Sequence, residues 1–166
     1  MKRRNFIIAM LALTATPFIS SRVRGADNMQ QTLGKTETLE LPEAEWKRRL
    51  TPQQFNILRK EGTEPSGSSP LNHEKREGNF VCAACERPLF TSAMKYESGT
   101  GWPSFFETIP GSVETKLDFK LIWPRTEYHC ARCGGHQGHL FSDGPKPSGK
   151  RYCNNGLALK FIPTAS

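Results

Sequence analysis

Val113-Glu114-Thr115-Lys116-Leu117-Asp118-Phe119-Lys120-Leu121 sets apolar side chains at Val113, Leu117, Phe119 and Leu121 against charged ones at Glu114, Lys116, Asp118 and Lys120. A period of two marks a strand with one face buried and the other in water, so this stretch predicts a half-buried antiparallel strand. The same period returns at Leu157, Leu159 and Phe161. Shorter strands are expected at Phe80-Val81, Tyr128-His129, Leu140-Phe141 and Arg151 to Asn155, punctuated by Gly and Pro. From Asn79 onward the chain therefore predicts a mainly β fold of antiparallel sheets.

Short helices precede the sheets. Glu43 to Arg49 predicts one. A second opens at Thr51, where Gln54 completes capping-box spacing and Pro52 takes the first helical position; Phe55 and Leu58 share a face, and Gly62 is placed to end it. Between Glu64 and Asn79 the Pro, Ser and Gly content predicts a loop. Residues 26–40 are polar and without period, as in a flexible arm. The chain's 166 residues suffice for one domain with a real core and hardly for two.

Residues 1–25 have the layout of an export signal. Lys2-Arg3-Arg4-Asn5-Phe6 begins an apolar stretch that runs to Ile19, shorter than the roughly 20 residues a membrane-spanning helix needs. Arg3-Arg4 followed by Asn5 and Phe6 resembles the twin-arginine fingerprint, which implies a periplasmic destination. An ordinary Sec signal is the alternative, and a retained membrane anchor the lesser one. Net charge is +7, but Lys2, Arg3, Arg4, Arg22 and Arg24 all precede Ala26, and losing these five charges leaves +2. A body so close to neutral gives no electrostatic case for nucleic acid.

Five cysteines is an odd count. Cys82-Ala83-Ala84-Cys85 and Cys130-Ala131-Arg132-Cys133 are two C-x-x-C pairs with residues 86–129 between them. Each can form a tight knuckle that aims two thiolates at one point, and together they supply the tetrahedral set Zn²⁺ prefers. Two disulfides are the alternative, favoured by an oxidising compartment. Strained C-x-x-C disulfides are seldom duplicated for structure, and folding before export would carry protected thiolates across the membrane.

Cys153 remains. On a strand, Arg151, Cys153 and Asn155 share one face, and an arginine beside a thiol favours the thiolate. An inert buried thiol is the plain alternative. His136-Gln137-Gly138-His139 is read as a Gly-rich turn after the second knuckle, with both histidines free to move protons. After Gly99 and Gly101, Trp102 stands where it can wall an apolar pocket, while Phe105 and Phe106 are expected in the core.

Together these residues resemble the methionine-R-sulfoxide reductase B family. The resemblance spans residues 41–163 and rests on both C-x-x-C pairs, Ser98-Gly99-Thr100-Gly101-Trp102-Pro103-Ser104-Phe105, Gly135 to His139, Asp143-Gly144-Pro145 and Arg151 to Gly156, in family order. It implies the family's β-tent-like arrangement of antiparallel sheets, with zinc on Cys82, Cys85, Cys130 and Cys133 away from the catalytic cysteine. It also implies Cys153 as nucleophile, Trp102 as the seat of the substrate's methyl group, His136, His139 and Asn155 at the sulfoxide oxygen, and Arg151 favouring the thiolate. His136 is slightly favoured over His139 as the acid. Thr100 departs from many members, which carry there a cysteine that resolves the oxidised nucleophile. Asn154, Leu157 and Leu159 depart too, with consequences for pocket shape.

The expected partners are oxidised methionine, in proteins or free, and a thioredoxin-like or other thiol reductant; the mature chain is expected to be a monomer engaging neither nucleic acid nor membrane. Two rival functions remain. A non-catalytic zinc-ribbon-like binding module fits poorly with the near-neutral charge, and a general thiol oxidoreductase would need one C-x-x-C pair free of metal.

Overall fold

A computed structural model describes residues 37–120 and 123–164. Residues 1–25, read as an export signal, most of the expected arm at 26–40, and Leu121 lie outside them. Helix α1, Glu43–Arg49, carries Glu43 and Glu45 in its first turn and Lys47, Arg48 and Arg49 in its last, the order that complements the helix dipole. It buries Trp46. Helix α2, Pro52–Lys60, is closed by the expected capping box: Gln54 N donates to Thr51 Oγ1 and Thr51 N donates to Gln54 Oε1, both at 3.2 Å. Phe55, Ile57 and Leu58 form its buried face. The helix ends at Glu61, which takes the left-handed conformation (φ 55°), one residue before the Gly62 expected to end it. Gly62 instead lies against Asn56, whose side-chain Nδ2 would be 2.4 Å from a Cβ there.

Among the described residues nine strands follow: β1 Gly78–Cys82, β2 Pro88–Thr91, β3 Lys95–Tyr96, β4 Ser104–Phe105, β5 Val113–Asp118, β6 Arg125–Cys130, β7 His136–Phe141, β8 Arg151–Asn154 and β9 Leu159–Pro163. They form a three-stranded sheet, β2-β1-β9, and a six-stranded sheet, β3-β4-β8-β7-β6-β5, with every pairing antiparallel. The mainly β expectation holds. Aromatic rings from both sheets make the core. Phe90 stacks on Phe105 at 3.9 Å between centroids, Phe80 meets Phe105 edge-on at 5.0 Å, and Tyr128 meets Tyr152 edge-on at 5.2 Å. Phe105 is fully buried, but Phe106, one residue past the end of β4, is only half-buried.

Three expectations are corrected. In and just after β5 the later apolar positions are exposed: Leu117 is 63% and Phe119 69% accessible, while Asp118 is 9% and Val113 alone of them packs on the core. β5 is an edge strand, and Asp118 turns inward because it accepts hydrogen bonds from His139 and Arg125 there. His136 to His139 are strand, not turn. The turn falls earlier, at Gly134 (φ 64°), and Gly138 lies so close to β8 that a Cβ would be 1.9 Å from the Cys153 carbonyl oxygen. Finally, the arm is anchored before residue 41: Leu39 N donates to Arg132 O at 2.7 Å, and Leu39 packs on the core.

Candidate active site and metal centre

The two cysteine knuckles are built alike. In each, the residue after the second cysteine is left-handed, Glu86 at φ 60° and Gly134 at φ 64°, and its N–H bonds back to the carbonyl of the first cysteine. All four sulfurs lie within 4.8 Å of one another. The short contacts run between knuckles, Cys82 to Cys133 at 3.7 Å and Cys85 to Cys130 at 3.5 Å, and no cysteine is disulfide-bonded. A disulfide needs about 2.05 Å. A tetrahedron with metal–sulfur bonds of about 2.3 Å has edges of about 3.8 Å, so the donor set fits a metal such as zinc.

Cys153 lies on β8, paired with His139 of β7 on one side and Ser104 of β4 on the other. A cleft of about 120 Å³ opens over it, lined by Trp102, His139, Phe141, Asn155 and Arg125 among others. Burial pushes the Cys153 thiol up; the charge of Arg151 and the Thr100 hydroxyl oppose it without prevailing. The thiolate that Arg151 was expected to favour is thus held back by desolvation. Arg151 is itself occupied, forked onto Asp143 by two bonds of 2.8 Å and lying 4.3 Å above the Phe141 ring.

The two histidines have different places. His139 faces the cleft, its Nε2 2.7 Å from Asp118 Oδ2. Burial lowers its pKa and the Asp118 carboxylate opposes that shift. Asp118 is held well below the usual carboxylate range by the backbone N–H of Lys120, by His139 and by Arg125. His136 is 2% exposed and stands behind, its ring centroid 5.5 Å from that of His139 and its Nδ1 2.7 Å from Glu127 Oε1. Burial drives the Glu127 carboxyl up, but His136 and Lys116 outweigh it and hold it low. Trp102 projects from a turn in which Gly101 is left-handed (φ 86°), and its Nε1 donates to Glu64 O at 3.1 Å.

Sequence reasoning missed Asp118, Glu127 and Glu64. Asp118 reads as part of a solvent face, Glu127 precedes the short strand at Tyr128-His129 without any motif, and Glu64 reads as loop. Only burial distinguishes them.

Residues 50–163 match the SelR domain family. The chain is 44% identical over 160 residues to peptide methionine sulfoxide reductase B1, chloroplastic, of Arabidopsis thaliana, covering 96% of this chain and 77% of that protein. It is 46% identical over 140 residues to methionine-R-sulfoxide reductase B2, mitochondrial, of Homo sapiens, covering 78% and 77%. Peptide methionine sulfoxide reductase MsrB of Methanosarcina barkeri is 48% identical over 126 residues, covering 75% and 89%. The chain belongs to the methionine-R-sulfoxide reductase B family. Membership gives the chain an activity, the reduction of methionine R-sulfoxide.

Proposed function

We propose that the chain reduces the R epimer of methionine sulfoxide through nucleophilic attack of Cys153 on the substrate sulfur. The observation that carries this reading is that Cys153, His139, Trp102 and Asn155 line one small cleft while the other four cysteines are gathered into the metal clip. A sulfoxide oxygen leaves poorly until protonated, so the thiolate needs an acid beside the oxygen. His139 is the residue suited to that task. His136 backs it from the buried side with Glu127, so this reading prefers His139 to the His136 slightly favoured with the family resemblance. Trp102 takes the methyl group, Asn155 donates to the oxygen, and Arg151 favours the thiolate against the cost of burial.

In sum, Cys153–SH and methionine sulfoxide give Cys153–SOH and methionine. An outside thiol, thioredoxin-like or otherwise, then displaces water to form a mixed disulfide, and a second thiol releases Cys153–SH and leaves as a disulfide. The fifth cysteine has no partner to resolve it, because Thr100 offers a hydroxyl where a thiol would be needed. An assay on separated epimers with dithiothreitol tests the reading: only R should turn over, and equal rates would end it. Without reductant, one methionine per chain should be released and a sulfenic-acid probe should label Cys153. A bridge from Cys153 to a clip cysteine in active, metal-replete enzyme would overturn the one-cysteine cycle.

The clip is proposed to hold one Zn²⁺ per chain on Cys82, Cys85, Cys130 and Cys133, a structural role. The mature enzyme is proposed to be a periplasmic monomer, acting on protein-bound or free sulfoxide, delivered by residues 1–25 along the twin-arginine route. Fusing residues 1–26 to a folded reporter should export it, and changing Arg3 and Arg4 to Lys should stop export. Continued export would favour Sec.

A further inference from the structure

Glu64 sits in the segment between α2 and the sheets, with exposed Thr63 before it and exposed Pro65 after it, yet it is itself 4% exposed. Its carboxylate meets no cation among the described residues. Oε1 accepts from Gly156 N at 2.6 Å and Oε2 from Leu157 N at 2.9 Å, the first two amides of the short 3-10 turn that follows Asn155. Two oriented N–H groups replace a counter-ion. The turn lies flush on the Glu64 loop, since a Cβ on Gly156 would come within 1.9 Å of Ser69 Oγ.

The backbone of the same residue reaches both walls of the cleft. Glu64 O accepts from Trp102 Nε1 at 3.1 Å, and Glu64 N donates to Asn155 Oδ1 at 3.1 Å. Asn155 Nδ2 donates to Gln137 O at 3.0 Å. These neighbours settle the direction of the amide, because Glu64 N requires an acceptor and Gln137 O a donor. One proton of Nδ2 is then used by Gln137 and the second is free for an acceptor in the cleft. Trp102 and Asn155 belong to different parts of the sequence, and Glu64 contacts both.

We infer that Glu64 is the positioning residue that sets the spacing and orientation of Trp102 and Asn155, and through them the fit of the sulfoxide's methyl group and oxygen. The inference rests on the proposed reading of this cleft. Its carboxylate fastens the loop to the turn after Asn155, and its peptide groups then hold the indole and the amide at fixed separation. A neutral Gln at this place would turn an NH₂ toward one of two backbone N–H groups, and an Asp would be too short to reach both.

The test compares Glu64→Gln and the milder Glu64→Asp with the unaltered enzyme, metal-loaded, on blocked methionine R-sulfoxide. Positioning by Glu64 raises KM about 10-fold while kcat changes less than about 3-fold. Iodoacetamide should alkylate Cys153 within about 2-fold of the normal rate, because the thiol's own neighbours are untouched. In a cycle with Asn155→Ala, Glu64→Gln should cost less than it does alone, since the residue it orients is already gone. An unchanged KM in both folded variants, or a fall in kcat with KM unchanged, overturns the inference. If Glu64→Gln does not fold, Glu64→Asp decides by the same measurements. Cys153→Ser separates the two levels: retained turnover there defeats the mechanism, whereas its loss together with a normal KM in the Glu64 variants defeats only the role of Glu64.

Discussion

Where β1 and β6 end, four thiols converge within 4.8 Å; opposite His139 of β7, Cys153 stands alone beneath a cleft. Both places are built from cysteine on tight, largely buried backbone. What differs is the company. The clip sulfurs are surrounded by one another and by backbone amides, an arrangement that serves a metal and leaves the sulfur nothing else to do. Cys153 has an arginine and a hydroxyl that favour its thiolate, and His139 is its partner across the strand pairing. Gln137 lies between, donating to Cys82 Sγ at 3.4 Å through its side chain while its carbonyl holds Asn155. β7 thus touches both places, through Gln137 and His139, and what each sulfur can do depends on its neighbours rather than on residue type.

The comparison breaks most visibly if the metal is taken away. Structural zinc contributes on the order of 10 kcal/mol to folding in small domains, so Cys130→Ser or exhaustive chelation should abolish cooperative thermal unfolding, not merely slow turnover. Active protein without metal, by elemental analysis, would refute the division. Cys153→Ser should do the reverse. Turnover should fall by at least about 1,000-fold while metal content and melting temperature stay near normal.

Asp118→Asn sharpens the picture at the reactive end. Burial lowers the His139 pKa and Asp118 opposes that shift, so removing its charge should lower the pKa further. Because Cys153 is pushed up and His139 down, thiolate and imidazolium coexist as a minority form, constant between the two pKa values and scarcer outside them. The variant should therefore lose about 10-fold in kcat/KM near neutrality, and the acid limb of its pH profile should move to lower pH. An unmoved limb would show that His139 is not the acid.

The smallest effect concerns Glu61, which ties α2 to β5 through Lys116 and Lys120 and whose pKa is lowered to about 2, chiefly by its bond to Lys116. A depressed carboxylate stabilises the fold above its unfolded pKa and loses that contribution as pH falls toward 2. These pairs are partly exposed, so Glu61→Gln should cost less than about 1 kcal/mol at neutral pH by denaturant titration, and the difference should vanish in acid.

Much of this molecule is local in origin. The capping box at Thr51 and Gln54, the knuckles, and the alternation that marks strands all depend on residues a few positions apart; the first two formed as their spacing indicates, while the alternation at Leu157, Leu159 and Phe161 is strand only from Leu159, because Leu157 lies in a 3-10 turn. The motif residues around Cys153 were likewise visible as a set. What spacing does not carry is direction. Val113 to Phe119 alternates as a strand should, and β5 is one, but the strand's place at the sheet edge lets Leu117 and Phe119 face water and draws Asp118 inward. His136 and His139 look equivalent in sequence; only the pairing of β7 with β6 and β8 puts one over Cys153 and the other against Glu127. Glu64 has no motif at all around it, and its role arises where a loop, a glycine turn and the end of β8 meet. By itself, the amino-acid sequence determined which short elements form and which residues have the chemistry for metal and thiol work, because those depend on local backbone preference and side-chain type. Burial and partnership at the site were decided only in the tertiary structure, because desolvation and hydrogen bonding depend on residues tens of positions apart being brought within a few ångströms.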